Sequence, residues 1–510
     1  MTIEAGKLWY EISIEQRGDT RNTYGESVAS WSEYLATYAD MIDLSGAELE
    51  IAQQINSNIT TKIITRWDSG IRATMRILMD GEYYNIVSVD NVDERDKIMV
   101  LLCERIEVAG AAAPASSTTF FIFDIDTRNT SAGSSTSTQF ALPLRSTGTY
   151  NFTVDWGDGN EDTITTWNDA AATHTYSTAG TYEIQLDGTV TGFRFANAGD
   201  KLKVTDITNW GDNLSLTESQ AFYGCDNMVI TATDDGPTIT STTFESMFRG
   251  CSSLTTIPGM ENWNISTVTS LKECFRDSTS FNQSLANWDT SNVTDFFGCF
   301  STCSAFNGDV TGWNVSSATT FRNLFFNCVA FNQDISAWAP TASMTSLRST
   351  FRNCTLFNQN LNSWNVSGVT EFIETFYLAT AFNGNITSWD TSSATSMDSM
   401  FRQASAFNQD ISGFNTTLVT DMDQMLRQAT TFDQDVGSWV VTALTTAINF
   451  LNGVTISVAN LNSLYTGWEA QAVGNSVTLH CGSQSPTGAG ITARNALETD
   501  HSWTITDGDG

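Results

Sequence analysis

Residues 288–312, WDTSNVTDFFGCFSTCSAFNGDVTG, run directly into residues 313–337, WNVSSATTFRNLFFNCVAFNQDISA. The two stretches align position by position on their tryptophans. The beat is longer than this pair. Trp263, Trp288, Trp313, Trp338, Trp364, Trp389 and Trp439 keep a 25-residue spacing, Phe414 fills the missing slot, and one extra residue separates Trp338 from Trp364. A fixed period of this size marks a solenoid or similar array, whose units stack because none can bury its own apolar face. Counted from the tryptophan, apolar residues fall at +5, +8, +12 and +15: Val293, Phe296, Phe300 and Cys303, or Val369, Phe372, Phe376 and Ala379. That spacing predicts one face of a helix. Phe306 and Val310, or Phe382 and Ile386, at +18 and +22 predict a short strand with the turn that enters it.

Three recurring positions carry polar or reactive side chains. Asn282, Asn307, Asn332, Asn358, Asn383 and Asn408 follow the phenylalanine at +18. A buried asparagine bonding the turn backbone of the neighbouring unit is expected there, because unpaired backbone groups in a solenoid turn are costly. A polar ligand ladder is the other reading. Cys251, Cys303, Cys328 and Cys354 share a slot that other units fill with Ser278, Ala379, Ala404 and Ala429. A slot that takes Ala, Ser or Cys asks for a small side chain rather than a metal ligand. Asp309, Asp334 and Asp410 are expected at a solvated edge.

The patterns FNQDISAW and WDTSNVTDFFGCF resemble the BspA-type leucine-rich repeat of bacterial surface proteins, over about residues 244–452. The resemblance implies a right-handed leucine-rich-repeat solenoid with a binding or adhesive role and no catalysis.

At 510 residues the chain is long enough for several domains. Charged residues are only 16%, and the formal net charge is −33. Such an acidic chain argues against a surface that grips nucleic acid, which needs a basic patch. It suits a surface that DNA slides past. The opening MTIEAGKLWYEISIEQRG lacks an apolar core, so no signal peptide is expected. With no run of about 20 apolar residues, no membrane insertion is expected either. Nine cysteines, several in core slots, do not suggest a disulfide framework.

Residues 1–108 carry strand patterns of a different kind. LWYEISIEQR alternates through Trp9, Ile12 and Ile14, and GESVASWSEYLATYADMIDL continues with Val28, Trp31, Tyr34 and Tyr38. TKIITRWD, TMRILMDGEYYNIVSVDNV and DKIMVLLCERI follow, with Asp80-Gly81 as a hairpin signal. SGAELEIAQQINSN, residues 45–58, reads as a long loop or short helix between strands. As a set, AGKLWYEISIEQR, YGESVASW, LSGAELEIAQQIN, TTKIITRW, MRILMDGEYYNIVSV and DERDKIMVLLCER resemble the phage head–tail joining family of head-closure and adaptor proteins. The resemblance implies a small β-barrel with a projecting loop. It also implies assembly as a ring, usually twelve-fold, between portal and tail, and no active site. The projecting loop corresponds to residues 45–58, which makes Ser45, Glu48, Glu50, Gln53 and Gln54 channel-facing candidates. Glutamates there would repel phosphates and let DNA pass unbound. An ordinary solvated loop is the alternative.

AGAAAPASSTT, residues 109–119, reads as a linker. Residues 120–200 read as short strands of a sandwich. NFTVDWGDG and HTYSTAGTYEIQL resemble a PKD-type immunoglobulin-like domain through Trp156, Gly157, Asp158, Gly159, His174, Tyr176, Gly180 and Tyr182. Asp155 and Asp158 are read as turn-stabilising, with calcium binding as the other reading. ITNWGDN and AFYGCDN, within 201–243, are degenerate units that cap the array. Residues 453–510 leave the beat as helix, strand, helix and strand, a second cap.

The expected fold is therefore multidomain and β-rich. A connector β-barrel with a projecting loop (1–108) and a linker (109–119) lead to a PKD/Ig-like β-sandwich (120–200). An N-terminal cap (201–243), an α/β leucine-rich-repeat-like solenoid of 25-residue units (244–452) and a C-terminal cap (453–510) follow. The three histidines, His174, His480 and His501, stand in separate contexts, and no nucleophile, zincin or phosphate-loop motif is present. Neither enzyme activity nor a cofactor or metal is expected. The expected function is structural: a ring subunit at the virion neck, made in the host cytoplasm without a signal peptide. Its partners would be its own copies, portal or adaptor, and tail proteins, with DNA passing through the channel. Its C-terminal domains would project as an appendage toward host glycan or surface protein. The rival is a bacterial surface adhesin built on the same repeats.

Overall fold

Alternating apolar residues near the N-terminus make strands whose inner faces close on one another. In the computed structural model, residues 10–21, 27–44, 59, 61–66, 68–73, 75–79, 82–91, 98–105 and 120–508 are described. They fall into two compact units, Met1–Ser117 and Thr118–Gly510. In the first, β1 (Tyr10–Arg21), β2 (Ser27–Asp43), β3 (Thr61–Arg66), β4 (Arg76–Met79), β5 (Glu82–Asn91) and β6 (Ile98–Arg105) form a closed barrel in the order β1-β2-β3-β6-β5-β4. Closure leaves no edge strand to template aggregation. Ile12 and Ile14, Ile77 and Met79, Tyr84 and Ile86, and Met99, Leu101 and Cys103 alternate inward and are buried together. Arg76 and Glu15 are register partners where β4 meets β1, and Arg76 Nε lies 2.7 Å from Glu15 Oε2. Trp9, the loop 45–58 with Ser45, Glu48, Glu50, Gln53 and Gln54, the Asp80-Gly81 pair and the linker 109–119 lie outside the described residues.

The second unit opens with β7 (Phe121–Asp126), β8 (Gln139–Ala141), β9 (Tyr150–Asp155), β10 (Glu161–Ile164), β11 (Thr173–Thr175), β12 (Thr181–Val190) and β13 (Val204–Asn209). β14 (Ser215–Leu216), β15 (Val229–Ile230) and β16 (Thr238–Ile239) follow. The main sheet has the order β10-β9-β12-β7-β13-β15, and β8 and β11 make a separate pair. This corrects the expected boundary at residue 200. β13 lies antiparallel on β7 and parallel to β15, so the segment read as a cap belongs to the same six-stranded sheet. A buried ion pair holds that junction. The Lys203 and Asp200 side chains are fully buried with Nζ 3.3 Å from Oδ1. Lys203 Nζ also donates to Ser135 Oγ and to the carbonyls of Ser135, Thr136 and Gln139. Asp200 accepts from Ser135 N, Ser135 Oγ and Ala141 N.

The array departs from the expected α/β unit. Among the described residues, 244–452 hold no α-helix and no strand; one short 3-10 turn, Met260–Asn262, and a single bridge per coil are the regular features. The bridges run parallel from Ser270 to Asp295, Thr320, Ser346, Glu371, Ser396, Asp421 and Thr446. The reason lies in the backbone. Asn323 and Asn327 have φ of 58° and 60°, and Ser349 and Asn353 have 53° and 58°. A left-handed residue every fourth position breaks the right-handed helix that the apolar spacing permits. Alternate N–H groups then point to the next coil: Leu271 N donates to Asp295 O, Glu273 N to Phe297 O, Phe275 N to Cys299 O and Asp277 N to Ser301 O. The residues between them close tight turns, Cys274 N on Leu271 O and Arg276 N on Glu273 O. The stretch expected as a strand, from Phe306 to Val310, forms no strand.

Three aromatic columns fill the interior. Phe300, Phe325, Phe351 and Phe376 stack at 5.8, 5.9 and 5.5 Å. Phe306, Phe331, Phe357 and Phe382 stack beside them, and Phe325 faces Phe331 at 3.8 Å. Trp288, Trp313, Trp338 and Trp364 form the third column at 6.4, 6.0 and 6.1 Å. Trp263, Trp389, Phe414 and Trp439 are buried in the same slot. Each indole is also a fastener: Trp313 Nε1 donates to Leu285 O at 2.9 Å and Trp338 Nε1 to Val310 O at 3.0 Å. At the start of the column Trp263 Nε1 packs on Gly236 instead. A Cβ there would come within 2.2 Å, and its φ is +87°.

At the far end, α1 (Val458–Glu469), β17 (Thr478–His480), α2 (Ala489–His501) and β18 (Thr504–Thr506) close the stack. The sequence leaves the 25-residue beat here, yet the indole device persists: Trp468 Nε1 donates to Val436 O and Trp503 Nε1 to Gly474 O. Tyr465 OH and Arg494 Nε both bond Asp507 in the cap's interior.

Two stability outcomes follow from these contacts. Lys203→Ala should destabilise the second unit by about 3–5 kcal/mol, because it strands a buried carboxylate. The paired replacement Lys203→Met with Asp200→Leu should cost much less than the two single changes together, read as denaturation midpoints. Trp338→Phe keeps an aromatic ring in the column but removes the bond to Val310 O and part of a buried indole's volume, and should cost about 2–3 kcal/mol in the same measurement.

Candidate functional site

The repeating unit places its polar side chains in columns, so a site on the array is a set of rungs. The asparagine column is the first. Asn307 N donates to Asn282 Oδ1 at 2.8 Å, Asn332 N to Asn307 Oδ1 at 2.9 Å and Asn358 N to Asn332 Oδ1 at 2.9 Å. Asn383 N and Asn408 N continue it to Asn358 and Asn383. Expected as buried, these asparagines are instead exposed, with Asn408 half-buried. The backbone bond is local enough to survive in contact with water. Asp433 takes the next rung and hands the ladder to Ser457 N, the cap of α1.

The aspartates and cysteines are spent on structure. Asp309, Asp334 and Asp410 each accept from the backbone N–H two residues on. Bonds from Ser336 and Ser412 hold Asp334 and Asp410 below the usual carboxylate range. Cys303, Cys328 and Cys354 are buried and donate to the carbonyls of Phe275, Phe300 and Phe325, as Ser278 does to Phe248 O and Cys251 to Phe222 O. Burial pushes these thiols up, away from the thiolate that metal binding needs. Among the described residues, no group of three His, Cys, Asp or Glu is placed to hold a metal.

In the sandwich, Asp155 Oδ1 accepts from Gly157 N and Asp158 Oδ1 from Asn160 N. Asp158 Oδ2 lies 2.9 Å from His174 Nε2, and His174 stacks on buried Trp156 at 5.0 Å. Tyr176 OH donates to Trp156 O and its ring stacks on Tyr182 at 3.8 Å. Both carboxylates therefore brace the turn. Elsewhere in this region, a concavity of about 380 Å³ is lined by Arg145, Ser146, Thr147, Arg194, Glu218 and Ser219. Its arginines are engaged: Arg145 donates to the Arg194 and Phe195 carbonyls and Arg194 bonds Gln220.

One face of the array differs from the rest. Across 244–452 the cations are Arg249, Lys272, Arg276, Arg322, Arg348, Arg352, Arg402 and Arg427. Lys272 and Arg322 stand at +9, Arg348 takes the same position one residue later in the coil with the extra residue, and the others directly follow the stacked phenylalanine or leucine. No other column carries a positive charge. Aromatic residues alternate with them: Arg249 lies 4.9 Å over Tyr223, Arg322 5.8 Å over Phe297, and Arg352 between Phe326 at 5.3 Å and Tyr377 at 4.7 Å. Arg402 covers the other side of Tyr377 at 4.8 Å. The unit's positional register contains this signal, but only when the repeats are stacked as columns rather than scanned along the chain.

Carboxylates flank the stripe at both ends. At the start, Glu273 meets both Arg249 and Arg276, and Lys272 meets Glu245. Toward the end, Asp398 and Asp421 sit among like charges. Burial, and then Asp421, Asp423 and Glu374, raise the Asp398 carboxyl; burial, and then Asp423, raise Asp421. A carboxyl that holds its proton more tightly folded than unfolded favours the fold at low pH and opposes it once pH climbs through the raised value. Asp398→Asn should therefore raise the melting temperature near pH 7 and leave it unchanged near pH 3, where the proton is already bound. A melting series across that range checks both limits.

The comparisons with known proteins fall on these same segments. Residues 3–106 match the family of phage head completion proteins. Residues 242–361 and 345–468 match the family described as Mycoplasma protein of unknown function, DUF285. A search of curated proteins finds no match. Among solved structures, the solution structure of protein SF1141 from Shigella flexneri 2a matches at 23% identity and a TM-score of 0.18, covering 21% of this chain and 100% of that one. The chain is accordingly a fusion, in which a segment matching the phage head completion family leads to an array matching the DUF285 repeat family.

Proposed function

We propose that this chain is a structural virion protein of a tailed phage. The barrel serves as a ring subunit that completes the head at the neck. The sandwich and array form an outward appendage for host-surface binding. The observation that carries the reading is the head completion match over residues 3–106, on a segment that folds as a closed six-stranded barrel. In this reading the ring, twelve-fold by the family resemblance, contacts portal or adaptor and tail proteins, and duplex DNA passes through it.

Geometry supports the outward direction. A folded body of several hundred residues is tens of Å across. A dozen of them cannot share a channel wide enough for one duplex, so the second unit belongs outside the ring. The charge balance agrees, since a net charge of −33 does not favour retention of DNA. The repeat match supports the binding role, and it also sustains a second reading, a repeat-built surface protein. No helix among the described residues is long and apolar enough to cross a membrane.

A phage whose copy of this gene encodes only the first unit, residues 1–117, separates the two. Filled, tailed particles with poor adsorption are expected. Empty or tailless heads would mean that the second unit takes part in assembly. Normal adsorption would remove the binding role.

A further inference from the structure

We propose that the array binds an acidic glycan, a sugar or polyol polymer carrying sparse carboxylates or phosphates, at a window made by Arg322 and Arg348 with Phe297 and Phe326. The proposal rests on the reading of the array as the binding part of the chain, and names its ligand class and its site.

The window is defined by what surrounds it. In the three coils that begin at Trp288, Trp313 and Trp338, the equivalent face reads Phe297–Thr302, Arg322–Asn327 and Arg348–Asn353, with no Asp or Glu. The coil before presents Glu273 and Asp277 there, and the coil after presents Glu374. The earlier carboxylates neutralise Arg249 and Arg276, and Glu374 reaches Arg352. Arg322 and Arg348 make no ion pair among the described residues, and Arg322 is exposed. They stand at the same position of adjacent coils, which the bridge from Thr320 to Ser346 joins. Bridged backbones lie about 4.8 Å apart, so the two guanidiniums can share one anionic group or take two in sequence.

Aromatic packing prepares Arg322 for this task. Its guanidinium lies over Phe297. A guanidinium held by its flat face keeps its N–H fork free at the edge, the geometry that meets carboxylate or phosphate in two bonds. Holding the side chain in advance also lowers the entropy lost on binding. The half-buried rings of Phe297 and Phe326 leave apolar edges beside the fork for the C–H faces of a sugar.

The same borders select against a densely charged strand. A nucleic acid tracks a positive groove over several nucleotides. Here it would run onto Glu273 and Asp277 on one side and onto Glu374, Asp398 and Asp423 on the other. A glycan with widely spaced charges places its anion in the window and neutral rings over the borders.

The full-length protein is titrated by calorimetry with polygalacturonate, poly(glycerol phosphate), neutral amylose and oligo(dT). Binding to at least one acidic polymer is expected, weaker at high salt, and the better of the two identifies carboxylate or phosphate. Arg322→Ala with Arg348→Ala should weaken it roughly tenfold or more with the melting temperature preserved. Arg322→Gln alone, at an exposed side chain, should weaken it in the same direction. Arg249→Ala, at the neutralised end, should leave it unchanged. The proposal is overturned if neither acidic polymer binds, if amylose binds as well, if oligo(dT) binds more tightly, or if the Arg322 variants bind like the parent. A phage carrying the double variant that adsorbs normally, while the truncated phage does not, also overturns this site and leaves the appendage role intact.

Discussion

The hydrogen bond from one coil's backbone N–H to the carbonyl of the next coil organises the array. It exists because two residues per coil hold positive φ, which turns alternate N–H groups out of the local turn and toward the neighbour. Each such residue that is not glycine costs about 1–2 kcal/mol. The cost is offset only when a following coil receives the bond, so the backbone of one unit is incomplete without another. The aromatic columns reinforce this dependence. Rings stacked at 5.5–6.4 Å fit a coil repeat set by backbone bonding, and the indole N–H groups from Trp288 to Trp439 span the same gap.

A stack of this kind needs ends that are not coils. At the start, β13 serves two structures at once, as a strand of the sandwich sheet and as the first layer beneath the repeats. The buried Lys203–Asp200 pair fastens the loop at residues 131–141 to that junction. One apolar core therefore runs from Phe121 to Ile505 without a break. At the other end α1 replaces a coil. It continues the indole bond through Trp468 and the asparagine ladder through Asp433 and Ser457, so the last open carbonyls meet helix residues instead of water.

Columns also explain how a strongly acidic chain holds a cationic face. A position that tolerates any polar residue in one coil lies next to the same position in the following coil, so a few substitutions in register make a stripe. Half of its cations, Arg249, Lys272, Arg276 and Arg352, are paired with carboxylates on their own or neighbouring rungs. Where residues 297–302, 322–327 and 348–353 of three successive coils hold no Asp or Glu, the surrounding negative charge sharpens the boundary of the positive patch.

Much of this was legible in the residues alone. The tryptophan beat, the inward positions, the small slot of the cysteines and the strand segments of the first unit come from patterning, because burial depends on side-chain periodicity that a sequence displays directly. Both helices and both strands of the C-terminal cap were legible for the same reason. The backbone of the repeats was not. Offsets of +5, +8, +12 and +15 turn inward equally well in a helix and in a chain of stacked turns, and only the partner coil decides where the N–H groups point. The exposure of Asn282 and its successors, the use of β13 in the sandwich sheet and the continuation of the indole bond at Trp468 and Trp503 were likewise decided in three dimensions. Each depends on a residue about one coil away, a distance over which a sequence records identity but not contact.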